Sequence, residues 1–180
     1  MEAIKGRRSI RKYKSDPVPE ETLHKVMEAI RWAPSWANTQ CWEVIVAKDS
    51  KVKSELANTL PKGNPAFSSM TEAPIVIVLC GKRGISGSYG GKPVTVKGDW
   101  LMFDSGLVTQ NLCLAAYALG LGTVIVGLFD HIKAEKILDV PQNVEVVAMI
   151  PLGYPASAGN IPKRKEISDF VFNEKYERKD

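Results

Sequence analysis

DSGLVTQNLCLAAYALGLGTVIVGLFD, residues 104–130, decides the fold, because no charged side chain lies between Asp104 and Asp130. A run of that length raises the question of a membrane span. Gln110 and Asn111 interrupt it, Gly120 and Gly122 punctuate it, and the β-branched run Thr123-Val124-Ile125-Val126 follows. This order reads as a buried helix, a glycine stop and a buried strand, and it excludes the span. The helix is expected from about Asp99 to Leu119, apolar nearly all round and so central to the fold. The strand is expected over 123–127.

Working outward, a helix at about 131–138 and a strand at 144–152 follow. From Tyr154 onward the chain is too rich in proline and charge to build its own core, so this tail is expected to wrap another surface. Upstream, the continuous apolar run 75–80 has the character of a strand covered on both faces. Residues 43–47 read as another strand, and Asp49 or Ser50 can cap a helix through Leu60. A short helical piece carries Phe67 and Met70. The clearest amphipathic helix is 19–33, where Leu23, Val26, Met27 and Ile30 follow the i, i+3, i+4, i+7 stripe and Pro34 ends it. Helices and strands alternate without a composition break or internal repeat, which favours one α/β or α+β domain over 1–180.

Composition limits the function classes. With 44% hydrophobic and 24% charged residues the chain is an ordinary globular one, and 180 residues bury roughly 70% of the unfolded surface without staples. Net charge is only +4, but Lys5, Arg7, Arg8, Arg11, Lys12 and Lys14 crowd the first fourteen positions against Glu2 alone. Lys163, Arg164 and Lys165 form a second knot. Such ends suit a nucleic acid, an anionic membrane, a phosphate-bearing small molecule, or simply a solvated edge. Cys41, Cys80 and Cys113 are odd in number, far apart and in apolar contexts, which excludes a disulfide scaffold. With only His24 and His131 besides, no metal site of the Cys/His type is expected. The N-terminus has no signal-peptide pattern, and the expected location is cytoplasmic.

Residues 81–98, with six glycines and a proline, read as a mobile loop or lid. The phosphate-binding patterns fail on spacing. A Walker A motif ending at Gly91-Lys92 needs glycine where Ser86 stands and a hydroxyl where Pro93 stands. A G-x-G-x-x-G from Gly120 meets Ile125 at its third glycine. Gly84-Ile85-Ser86 meets Ser88 where a nucleophile elbow needs glycine. A protein with so few candidate acids and bases can still be an enzyme if a cofactor brings the chemistry.

Four segments in order span almost the whole chain. They are Arg7-Arg8-Ser9-Ile10-Arg11-Lys12-Tyr13, then Ala33-Pro34-Ser35-Trp36-Ala37-Asn38-Thr39-Gln40-Cys41-Trp42. The third runs from Asp104 through Gln110-Asn111-Leu112 and Leu119-Gly120-Leu121-Gly122 to Val126-Gly127, and the fourth is Gly153-Tyr154-Pro155 with the basic tail. Together they resemble the nitroreductase family of flavoproteins.

The resemblance implies an α+β fold, a mixed and mainly antiparallel sheet flanked by helices, with a long buried helix and an extended C-terminal tail. It implies a homodimer with FMN at the subunit interface and NAD(P)H as electron donor. Arg7, Ser9 and Arg164 would hold the FMN phosphate, with Arg8 and Lys163 beside them, since guanidinium groups match its oxygens bidentately. Arg11 would stabilise the charge that reduction places on the flavin ring. Pro34, Ser35 and Asn38, with Trp36 and Gln40 in the same stretch, resemble the loop that the partner subunit lends to the cofactor. The Val126-Gly127 backbone would face the ring, where glycine permits close approach. No side chain is assigned a catalytic role and no metal is expected.

Nitroaromatics and quinones, reduced in a ping-pong cycle, are the acceptors the resemblance suggests. Flavin reduction, dehalogenation or non-catalytic flavin carriage are alternatives within the fold, and a basic nucleic-acid-binding module is the rival class. That rival lacks interleaved aromatics, with only Tyr13 in the basic segment, so neither nucleic acid nor membrane is the expected partner. The sequence departs from the pattern at Cys41, where proline is usual, at Pro162, where a cation is common, and in the glycine-rich insert.

Overall fold

The computed structural model describes residues 1–176. Six helices, α1 (Glu2–Gly6), α2 (Glu20–Arg31), α3 (Ser50–Ala57), α4 (Phe67–Glu72), α5 (Leu101–Ala118) and α6 (His131–Ile137), surround a four-stranded sheet. Its strands are β1 (Trp42–Ala47), β2 (Ile75–Lys82), β5 (Gly122–Thr123) and β6 (Val144–Gly153), in the order β1-β2-β6-β5. A separate two-stranded hairpin, β3 (Ser88–Tyr89) and β4 (Lys92–Pro93), lies between β2 and α5. All ladders are antiparallel, and the sheet is mixed only through a parallel bridge between Ser9 and Thr123.

The sheet is covered on both faces, as the apolar run of β2 requires. Ile75, Ile77 and Leu79 pack with Leu23, Val26 and Ile30 of α2 and with Val108 and Leu112 of α5. Val76, Val78 and Cys80 turn the other way, to Leu56 of α3, Met70 of α4 and Ala134 of α6. β6 shows the same alternation with one break. Leu79 pairs with Ala148 but Cys80 pairs with Val146, so Val147 is an extra residue that switches the side chains between faces.

The reading of 104–130 holds for the helix and its stop. α5 ends at Ala118, and Gly120 adopts φ +76 while Leu121 N–H donates to Ala116 O at 2.8 Å. A non-glycine residue in that left-handed conformation would be strained, which is why glycine closes the helix. The strand expected over 123–127 is a correction. β5 covers only Gly122–Thr123, and pairing resumes at Val126, bonded both ways to Met149 in the same register. In that register Val124 falls opposite Pro151, which has no N–H to donate, so the ladder breaks there.

The glycine-rich segment carries the β3–β4 hairpin and is tied to its surroundings by several hydrogen bonds. Gly84 N–H donates to Asp99 Oδ2 at 2.7 Å, Val94 N–H to Gly87 O at 3.0 Å and Trp100 Nε1 to Thr95 Oγ1 at 2.9 Å. Ser86 is fully buried. The N-terminal segment 7–14 follows the sheet edge, with Ile10 N–H donating to Thr123 O at 2.9 Å. Gly122 makes room for it, because a Cβ there would stand 2.6 Å from Ile10 Cγ1.

Candidate functional site

Both basic ends begin beside one another. Lys14 N–H donates to Tyr154 O and Ala156 N–H donates to Lys12 O, each at 2.9 Å, so the start of the tail runs along the N-terminal segment. Contact is close at Gly159, where a Cβ would lie 2.5 Å from Arg8 Cβ. Tyr13 clamps the junction, its buried hydroxyl donating to Ile10 O at 2.8 Å and Pro151 O at 3.1 Å. Burial raises its pKa above the ordinary phenol range.

Between these segments lies a cavity of about 680 Å³, lined by Arg7, Arg8, Lys14, Tyr117, Ser157 and Gly159 among others. A smaller one of about 190 Å³ adjoins Ser9, Arg11, Lys12 and Asn160. The cations here are unpaired. The six ion pairs among the described residues use Lys25, Arg31, Lys48, Lys82 and Arg83, and none uses Arg7, Arg11, Lys12 or Lys14. Arg8 differs, because its Nη1 donates to Lys5 O at 2.7 Å and Arg7 O at 2.6 Å. Arg164, on the exposed tail beyond Ile161, donates to Pro162 O at 3.1 Å and lines neither cavity, nor does Lys163.

The stretch after Pro34 forms a separate site. Pro34, Asn38 and Gln40 line a cavity of about 400 Å³ with Arg31 and Trp32. Ala37, Asn38 and Gln40 have φ of 46, 55 and 47. Such conformations cost non-glycine residues roughly 1–3 kcal/mol each and persist where the surroundings enforce them. Ser35 Oγ accepts from Gln40 N–H at 2.9 Å, Gln40 Nε2 donates to Asn38 Oδ1 at 3.1 Å, and Trp36 N–H donates to Asp104 Oδ1 at 3.0 Å. One chain therefore does not bring this loop to the basic cavity.

At the sheet edge, Val126 has both backbone groups committed to Met149. Gly127 is exposed, and nothing stands within 4 Å of where its Cβ would be. Of this pair, Gly127 is the open surface. Sequence reasoning missed Lys14, Tyr117 and residues 157–159 as cavity walls, and it missed Asp104 and Ser86 as supports. A lone acid at the head of an otherwise uncharged apolar helix was the available signal for Asp104.

The sequence profile described as the nitroreductase family matches residues 4–154, which is most of the chain. The chain belongs to the nitroreductase family. A Methanothermobacter thermautotrophicus protein, provisionally named an NADH dehydrogenase/NAD(P)H nitroreductase, is 33% identical over 160 residues, covering 87% of this chain and 77% of the relative. A Bacillus subtilis FMN reductase (NAD(P)H) is 28% identical, covering 87% of this chain and 66% of its own. Among solved structures, the NADPH:FMN oxidoreductase of Vibrio harveyi, complexed with NAD+, aligns with a TM-score of 0.84 at 26% identity. That alignment covers 98% of this chain and 77% of the other.

Family membership bears out the expected α+β fold and the enzyme class, an FMN-dependent oxidoreductase with NAD(P)H as donor. The residues of this chain fit such a cofactor chemically. Among the described residues, guanidinium and ammonium groups without an ion-pair partner flank the cavities at Arg7, Arg11, Lys12 and Lys14, as a phosphate-bearing cofactor requires. Among the described residues no helix is long and apolar enough to cross a membrane, and no His/Cys/Asp/Glu group could hold a metal.

Proposed function

We propose that this nitroreductase works as a homodimer that holds FMN between its subunits and reduces nitroaromatics, quinones or similar electron-poor acceptors. Bound FMN supplies the hydride chemistry in two half-reactions, NAD(P)H leaving before the acceptor enters. The observation that carries the reading is the set of cations on residues 7–14, unpaired and gathered against the start of the tail. A phosphate dianion offers such cations charge-assisted hydrogen bonds, which guanidinium groups make bidentately.

In this reading Arg7 and Ser9 hold the phosphate, with Arg164 and Lys163 reaching it from the tail. Arg8 is held by the Lys5 and Arg7 carbonyls and contributes charge more than contact. Arg11 sits at the ring edge and stabilises negative charge there, which favours hydride acceptance. The loop of Pro34, Ser35, Trp36, Asn38 and Gln40 lies apart from the basic cavity of its own chain, so it serves the partner subunit's cofactor. Gly127 gives the ring close access to main chain, with Val126 fixing it to β6. The names of the Bacillus and Vibrio relatives support flavin as the bound group.

The test is the visible spectrum of the purified protein, with FMN identified after denaturation, followed by NADH and NADPH oxidation with nitroaromatic and quinone acceptors. A folded protein that stays colourless after incubation with excess FMN overturns the reading.

A further inference from the structure

Two segments that meet nowhere in sequence share one buried carboxylate. Asp104, fully buried near the start of α5, accepts from Trp36 N–H through Oδ1 at 3.0 Å and from Ser86 Oγ through Oδ2 at 2.6 Å. The Cys41 thiol lies 3.6 Å from Oδ2, as a sulfur donor. We propose that Asp104 is the positioning residue that holds the strained 35–40 loop in its working shape and couples it to the glycine-rich hairpin. The proposal rests on the reading that this loop serves the partner subunit's flavin.

A carboxylate buried without a cation is costly, and it is tolerated only where directed donors satisfy it. Here every donor comes from the two loops, and neither Lys nor Arg pairs with Asp104 among the described residues. Trp36 and Cys41 bracket the backbone in which Ala37, Asn38 and Gln40 take positive φ, so Asp104 fixes both ends of the strained piece. The internal bonds from Gln40 to Ser35 and Asn38 then orient the Asn38 side chain. On the hairpin side, Ser86 leads into β3, whose Tyr89 ring lies 5.0 Å from the Trp36 ring. Hairpin and loop thus touch at an aromatic contact above and at Asp104 below.

Asparagine at 104 keeps the shape and one acceptor for Trp36 N–H, but it presents N–H to the Ser86 side. Alanine removes both. FMN dissociation constants, the absorption spectrum of the bound flavin and thermal midpoints of Ser86→Ala, Asp104→Asn, Asp104→Ala and the Ser86→Ala/Asp104→Asn double variant decide the matter. Expected are FMN affinities weakened about threefold in Ser86→Ala and Asp104→Asn and about tenfold or more in Asp104→Ala, with a shifted flavin spectrum. The double variant should bind no more weakly than Asp104→Asn, because both changes cut one coupling. Wild-type FMN affinity and spectrum in Ser86→Ala and Asp104→Asn, even with lowered thermal midpoints, overturn the proposal. If the Asp104 variants do not fold, Ser86→Ala alone decides. A wild-type protein that binds no FMN overturns the functional reading as well, whereas flavin bound equally by all variants overturns only this one.

Discussion

Cys41 stands where the family pattern has proline, and burial beside the Asp104 carboxylate pushes its thiol up to about 12. Burial, with the Glu43 and Glu135 carboxylates adding to it, does the same for Cys80, also to about 12, and burial raises Cys113 and the Tyr13 phenol. All four are acids that keep their protons longer in the fold than in the unfolded chain. The unfolded state therefore releases protons first, and stability falls as pH rises. The window follows from the shifts. The contribution is whole below the ordinary thiol value of 9.0 and is lost as pH climbs toward about 12, at roughly 1.4 kcal/mol per pKa unit. Urea midpoints should be level between about pH 7 and 8, then drop steeply above about pH 9. Cys80→Ala should make that drop shallower, and a midpoint unchanged up to pH 11 would contradict the assignment. The residue scale also shows what could be read in advance. Arg7, Ser9 and Arg11 stand within seven residues of one another, so a family resemblance carried by a local motif can propose roles for them. Asp104 was not legible, since its partners Ser86 and Trp36 lie 18 and 68 residues away and bear no charge to betray the pairing.

Elements were legible where one physical cause acts locally. The stripe of α2, the double-faced run of β2 and the glycine after α5 each announce themselves within a dozen residues. β5 was overread because Val124-Ile125-Val126 has strand character, while the break comes from Pro151 on a neighbouring strand. α1 was missed because five residues carry too little periodicity, and the hairpin because its pins are long-range contacts to Asp99 and Asp104. The N-terminal segment was legible as a motif but not as an element, for its extended shape is held by long-range pairing to Thr123 and to the start of the tail. That docking depends on Gly122, which a Cβ would drive to 2.6 Å and 2.8 Å from Ile10 Cγ1 and Cβ. Ile10 is buried and branched at the contact, so it has little freedom to yield. Gly122→Ala should cost about 1–3 kcal/mol of stability, as over-packing does. It should also weaken FMN binding, because Arg7, Ser9 and Arg11 ride on the displaced segment. Full stability in urea together with unchanged flavin affinity would show that the segment is not held by this contact.

For the whole molecule, the decisive feature is a helix that is apolar all round but covered on one side only. α5 buries Leu101, Val108, Leu112 and Cys113 against the sheet and α2, yet leaves Met102 65% and Phe103 58% exposed. Gly106 and Gln110 continue that outer face at helical spacing. A glycine inside an exposed helix costs about 1 kcal/mol relative to alanine, and nothing in this chain occupies the space above Gly106. Both facts make sense if a second copy packs there, where a missing side chain lets backbones approach. Ile161, Ile167 and Phe170 add further exposed apolar surface along the tail. The separation of the 35–40 loop from the basic cavity fits the proposal that the loop serves a second copy's site. Wild-type protein should sediment at twice the chain mass. Gly106→Glu places a carboxylate in the contact, where desolvation without a partner is costly, and should shift the population toward monomer. Position 106 lines neither the basic cavity nor the loop cavity, so any loss of FMN in this variant reports the broken assembly. Flavin content and sedimentation should therefore fall together across a dilution series. A wild-type monomer carrying a full complement of FMN would refute the shared site, because one chain would then suffice to build it.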